Sequence, residues 1–87
     1  MFYTVSGSPK NFFDEGEGEE FVKADSPEEA VMYVVEAGTF SSVYNDTGVS
    51  IWYQVRQARS FDNGICKFGD APHIFTPQDI ENLIREY

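Results

Sequence analysis

The segment VSIWYQVRQARSFDNGICKF, residues 49–68, constrains the fold more than any other part of the chain. Its first half alternates strictly. Val49, Ile51, Tyr53 and Val55 therefore share one face of an extended strand, and Ser50, Trp52, Gln54 and Arg56 share the other. Asn63-Gly64 follows, a pair that tolerates the two positive φ angles of a type I′ hairpin turn. A two-residue loop there pairs Asp62 with Ile65, Phe61 with Cys66 and Arg59 with Phe68. That register puts Phe61, Cys66 and Phe68 on the face that holds Val55. A lone hairpin is marginal in water, so the chain must supply further strands or helices to cover it.

It supplies both. MFYTVSG, residues 1–7, is a β-branched and aromatic run closed by turn-forming residues around Gly7 to Pro9, and reads as the first strand. EEFVKA, residues 19–24, alternates Glu20, Val22 and Ala24 against Phe21 and Lys23; its charge suits an edge strand. DSPEEAVMYVVEAG carries a full set of helix boundaries: Ser26 as N-cap, Pro27 at the first helical position, Glu29 at the capping-box position and Gly38 past the end. A helix over residues 27–37 follows, with Ala30, Val31, Val34, Val35 and Ala37 as its apolar side. Valine has only moderate helix propensity, so this helix needs a sheet to lie on. SSVYNDTG reads as a connection. In TPQDIENLIREY the start signals recur as Thr76, Pro77 and Asp79, and Ile80, Leu83, Ile84 and Tyr87 form an i, i+3, i+4, i+7 stripe. The order ββαββα predicts an α+β fold: a four-stranded, mainly antiparallel sheet with two helices on one face.

At 87 residues with 41% hydrophobic composition, one domain spanning residues 1–87 is expected, with a flexible acidic loop near residues 8–19 anchored by Phe12 and Phe13. A single cysteine closes no internal disulfide, and no apolar run is long enough to span a bilayer, so a soluble, cytoplasmic protein is expected. The sequon-like Asn45-Asp46-Thr47 lacks a secretory context and reads as a polar turn.

Charge is the most uneven property of the chain. Fifteen acidic residues face six basic ones, a formal net of -9. Residues 14–36 hold Asp14, Glu15, Glu17, Glu19, Glu20, Asp25, Glu28, Glu29 and Glu36 against Lys23 alone. Such a field repels nucleic acid and anionic membrane and draws in basic protein surfaces. The DEGEGEE run does not match the ligand spacing of a calcium loop, so no metal or cofactor is expected. Cys66 and His73 are the sole nucleophile and base of their types, and the hairpin register turns Cys66 inward, where a thiol is inert. No phosphate loop, serine elbow or zinc cluster occurs, so an enzyme is not expected. Arg56, Arg59 and Lys67 interleave with Trp52 and Tyr53 as on an RNA-binding sheet, but the net charge opposes that use. Trp52 is either an outward contact residue or part of a minor cluster with Phe2 or Val22.

In size, charge and the strand-to-capped-helix stretch FVKADSPEEA, the chain resembles the small acidic proteins that bacteriophages direct against host machinery, anti-CRISPR proteins and polymerase inhibitors among them. The resemblance implies a non-enzymatic inhibitor, monomeric or homodimeric, acting in the bacterial host cell on the basic surface of a nucleic-acid-binding protein. Its expected contacts are Asp14, Glu15, Glu17, Glu19, Glu20, Glu28, Glu29 and Trp52. The alternative is a cellular adaptor or complex subunit that binds through the aromatic sheet face around Trp52.

Overall fold

A computed structural model describes residues 1–10, 19–62, 65–68 and 71–86, with the side chains of residues 59–62 and 65–68 left aside. The elements are β1 (Phe2–Ser8), β2 (Glu20–Lys23), α1 (Pro27–Ala37), α2 (Thr39–Tyr44), a 3₁₀ turn (Gly48–Ser50), β3 (Trp52–Asp62), β4 (Ile65–Phe68), β5 (His73–Phe75) and α3 (Pro77–Glu86). All strand pairs are antiparallel, so the α+β fold is the expected one. The sheet runs β2-β1-β3-β4, and β5 also pairs with β3. β4 and β5 lie end to end along one edge of β3: Asp62 to Ala58 face β4, and Tyr53 to Val55 face β5. β1 occupies the other edge, pairing Val5 with Val55 and Gly7 with Tyr53. The charged strand β2 is the sheet's edge, beside β1.

Tyr3 and Val5 of β1 and Tyr53 and Val55 of β3 point toward the helices, and the core follows from that parity. Tyr3, Val5, Tyr53 and Val55 from the sheet, Ala24 and Ile51 from its approaches, Ala30, Val31 and Val34 from α1, Phe40 from α2, Phe75 from β5 and Ile80 from α3 form one buried cluster. α1 begins and ends as the sequence dictates. Ser26 is extended at φ -151° and its hydroxyl accepts the Glu29 amide at 3.2 Å. Gly38 closes the helix at φ 66°, with its amide directed to the carbonyls of Val34 and Val35, a conformation that costs glycine nothing. At α3 the box is reciprocal: the Asp79 amide donates to Thr76 Oγ1 (3.1 Å) and the Thr76 amide donates to Asp79 Oδ2 (3.0 Å).

Five expectations need correction. The connection after Gly38 contains a helix, α2, whose residues lack any sequence-level cap beyond the shared Gly38. Phe40 of this helix drops onto Gly7 and meets the Tyr53 ring edge-on at 6.1 Å, and the Tyr44 hydroxyl donates to the Gly7 carbonyl at 3.1 Å, so tertiary contacts fix what propensity does not. Val49 belongs to the 3₁₀ turn and is exposed, so the core face of β3 starts at Ile51 and Tyr53. His73 lies in a third strand beside β3, not in a loop. Arg59 does not pair with Phe68: an irregularity between Ala58 and Ser60 pairs Phe68 with Ala58, while Asp62 with Ile65 and Phe61 with Cys66 pair as expected. An inserted residue of this kind breaks the two-residue arithmetic behind the face assigned to Phe61, Cys66 and Phe68. Those side chains, the Asn63-Gly64 turn, Tyr87 and the loop with Phe12 and Phe13 lie outside the described residues. Ala37 is exposed, which narrows the buried side of α1.

Two measurements check this packing. A Cβ at Gly7 would lie 2.5 Å from Phe40 Cγ, so Gly7→Ala is expected to destabilise the protein by about 2 kcal/mol in urea denaturation, as overpacking does. Burial pushes the Tyr53 phenol up to about 12 from an ordinary value of about 10. The unfolded chain therefore loses this proton first as pH rises. Stability is complete below pH ~10 and falls through the window up to ~12, by roughly 3 kcal/mol for two units. Tyr53→Phe is expected to flatten that alkaline loss.

Candidate functional site

The residues expected to meet a partner fall on three parts of the structure. Asp14, Glu15 and Glu17 lie outside the described residues. Glu19 and Glu20 are exposed at the start of β2, the edge strand, and Glu28 and Glu29 stand half-buried in the first turn of α1. β2 separates the two pairs: Glu20 begins it and Lys23 ends it, about 10 Å along the strand, before the chain turns at Asp25 into α1. Trp52 opens β3 on the face turned away from the helices and is half-buried.

The N-terminal turn of α1 is acidic for two reasons at once. Carboxylates there favour the helix by meeting its unpaired amides and the positive end of its dipole, each by about 0.3–1 kcal/mol. They also face outward. Among the described residues, no ion pair joins Asp25, Glu28, Glu29 or Glu36 to a lysine or arginine; the ion pair that is present, Arg85 with Glu81 at 3.2 Å, lies on α3. Glu29 does not complete its capping box with a side-chain bond to Ser26. Its Oε1 instead accepts the Tyr33 hydroxyl at 3.3 Å, one turn along the helix.

Tyr33 was not among the expected contact residues, yet it organises this surface. Glu29, Met32, Tyr33 and Glu36 stand at i, i+3, i+4 and i+7 on α1 and line a notch of about 150 Å³. Tyr33 is half-exposed, with the carboxylates of Glu29 and Glu36 on either side along the helix. The hydrogen bond to Glu29 raises the phenol above its ordinary value, followed by the charge of Glu29, partial desolvation, and the charges of Asp25 and Glu36. The stripe spacing was present in the sequence. The valines on the core side, Val31 and Val34, dominate the apolar pattern of this helix and mask the second stripe.

The outward sheet face is built differently. With its amide oriented to satisfy both contacts, Gln54 Oε1 accepts from Arg56 Nε at 2.9 Å and Nη2 at 2.7 Å. This ties Arg56 to the buried Gln54, on the sheet face that also carries Trp52. Tyr53 points the other way, into the core, so it cannot join Trp52 and Arg56 on an RNA-facing surface. Nor does Trp52 cluster with Phe2 or Val22. Trp52 is opposite Ser8 at one end of β1, Phe2 is opposite Ala58 at the other, and Val22 pairs with Tyr3 on the core side.

Register also separates the one nucleophile-and-base pair that the sequence offered. Cys66 is opposite Phe61 and His73 opposite Val55, along the same edge of β3. Six residues of strand place them about 20 Å apart, far beyond proton-transfer distance. His73 is exposed and packs on Phe75 with ring centroids 4.4 Å apart. Among the described residues, no group of three histidine, cysteine or acidic side chains is placed to hold a metal ion. No described helix is long and apolar enough to cross a membrane. Comparison with known protein families, curated proteins and solved structures finds no match for this chain.

The Tyr33 environment is open to direct measurement. Glu29→Gln removes both leading causes of the raised phenol, and the Tyr33 titration midpoint, followed by NMR on ring-labelled protein, is expected to move down toward the ordinary value. A midpoint that stays in place would assign the shift to other groups.

Proposed function

We propose that this protein is a non-enzymatic inhibitor of the phage type, anti-CRISPR-like, that uses its acidic surface to occupy a basic nucleic-acid-binding surface of a partner protein. The observation that carries this reading is the outward acidic side of α1, where Asp25, Glu28, Glu29 and Glu36 find no cationic partner among the described residues. Carboxylates kept only for solubility need no shared helix face. Glu28, Glu29 and Glu36 are set on a rigid, capped helix, with Asp25 just before its N-cap, as a recognition surface requires. DNA carries a charge about every 1.7 Å along its axis, so a groove adapted to phosphates accepts a comparably dense row of carboxylates. The chain's net charge of -9 adds long-range steering toward such a groove.

A second reading is supported by the outward sheet face, where Phe2 and Phe21 are each 51% exposed and Trp52 is half-buried. There the protein is an adaptor whose contact is aromatic, and its acidity serves solubility. Aromatic residues of this kind dominate interface energetics.

One experiment separates the two. The protein is used to capture partners from a bacterial lysate at low salt and at about 1 M salt, where the Debye length falls to ~3 Å. The inhibitor reading expects a nucleic-acid-binding protein that is released by competing DNA and by salt. Changing Glu19, Glu20, Glu28 and Glu29 together to Gln is expected to weaken that complex by tenfold or more, about 1.4 kcal/mol, and to flatten its salt dependence. Capture that survives salt and the charge changes, but is lost on Trp52→Ala, would replace this reading with the adaptor.

A further inference from the structure

The notch on α1 has a chemistry more specific than its charge. Its floor is apolar, made by the Met32 side chain and the Tyr33 ring, and a carboxylate stands at each end. Glu29 and Glu36 are seven residues apart, so the two acids bracket about 10 Å of helix surface. The Tyr33 hydroxyl, bonded to Glu29 Oε1 at 3.3 Å, holds one of them at the rim. We infer that this notch seats a lysine or arginine side chain of a protein partner, its stem on Met32 and Tyr33 and its cationic head between Glu29 and Glu36.

The fit is one of opposites along a single side chain. Lysine and arginine carry an apolar stem and a charged head, and bury the first while keeping the second near water or a counter-charge. Methionine is an adaptable floor for such a stem, and a tyrosine face attracts the cation electrostatically. A notch of about 150 Å³ takes one side chain. It is smaller than the roughly 300 Å³ at which pockets for small molecules begin. An anion is repelled by both rims, and an apolar side chain would leave two carboxylates facing it unpaired. The seat is also preorganised: α1 is capped at both ends and its buried side, Ala30, Val31 and Val34, is fixed in the core. This inference rests on the acidic-surface reading and adds to it the position and the anchor.

The test titrates the full chain, with methionine methyl groups and tyrosine rings labelled for NMR, with hexa-arginine at low ionic strength and with hexa-glutamine as control. Resonances of Met32 and Tyr33 are expected to move with hexa-arginine and not with the control. Glu29→Gln with Glu36→Gln is expected to raise Kd about tenfold, and Tyr33→Leu, which alters no charge, about fivefold, the range of a contact residue at an interface. Asp46→Asn with Glu86→Gln removes the same charge at exposed positions away from α1 and is expected to change Kd less than about twofold. Circular dichroism shows whether α1 persists in each variant. If shifts centre elsewhere, or both acidic pairs weaken binding equally while Tyr33→Leu does nothing, the notch is rejected and the diffuse acidic surface stands. If the unaltered protein does not bind hexa-arginine at all, the acidic-surface reading falls and the notch with it.

Discussion

The two-sided pairing of β3 is the constraint from which the rest of the structure follows. One edge of this strand holds β1 over seven residue pairs, and the other is shared by β4 and β5. With both edges hydrogen-bonded, its faces are fixed, and Tyr53 and Val55 must enter the core while Trp52, Gln54 and Arg56 take the opposite face. A slip of one residue would exchange those sets, burying a guanidinium and exposing a tyrosine and a valine, so the register is strongly determined. The helices then have one place to go. α1 lays Ala30, Val31 and Val34 on that face, α2 fills the space over Gly7 with Phe40, and α3 adds Ile80.

The chemistry that starts the helices also shapes the surface. Acids at the first turn of α1 meet the positive end of its dipole, and because the opposite side of that helix is committed to the core, they are carried outward with Tyr33 and Glu36. Folding and recognition thus draw on the same residues. Neutralising Glu28 or Glu29 acts on helix stability as well as on association, and a conservative glutamine separates the two effects better than alanine does. The charge map and the core map are the two sides of one amphipathic helix.

Much of the architecture was legible along the chain, because its signals are local. Ser26, Pro27 and Gly38 mark α1 through backbone chemistry that acts within a few residues, and Thr76, Pro77 and Asp79 do the same for α3. Alternation in residues 51–56 and the Asp62 to Ile65 pairing likewise need only neighbouring residues. What escaped reading depends on contacts between distant segments. α2 exists because Phe40 and Tyr44 have Gly7 to dock on, a partner more than thirty residues away. β5 is three residues long, too short to show a period, and is a strand only because β3 offers a free edge there.

The candidate site divides along the same line. Residue order alone settled that the chain is acidic between residues 14 and 36, that α1 begins with carboxylates, and that Trp52 lies opposite the core face, since composition and side-chain period are properties of the chain itself. Tertiary structure decided which carboxylates act together. It withdrew Val49 from the core face, parted Cys66 from His73 along β3, and left Met32 and Tyr33 between Glu29 and Glu36 on the side of α1 that the sheet does not cover. Helical spacing alone fixes which residues form a stripe. Only the packing of the opposite stripe against the sheet determines that this one meets water.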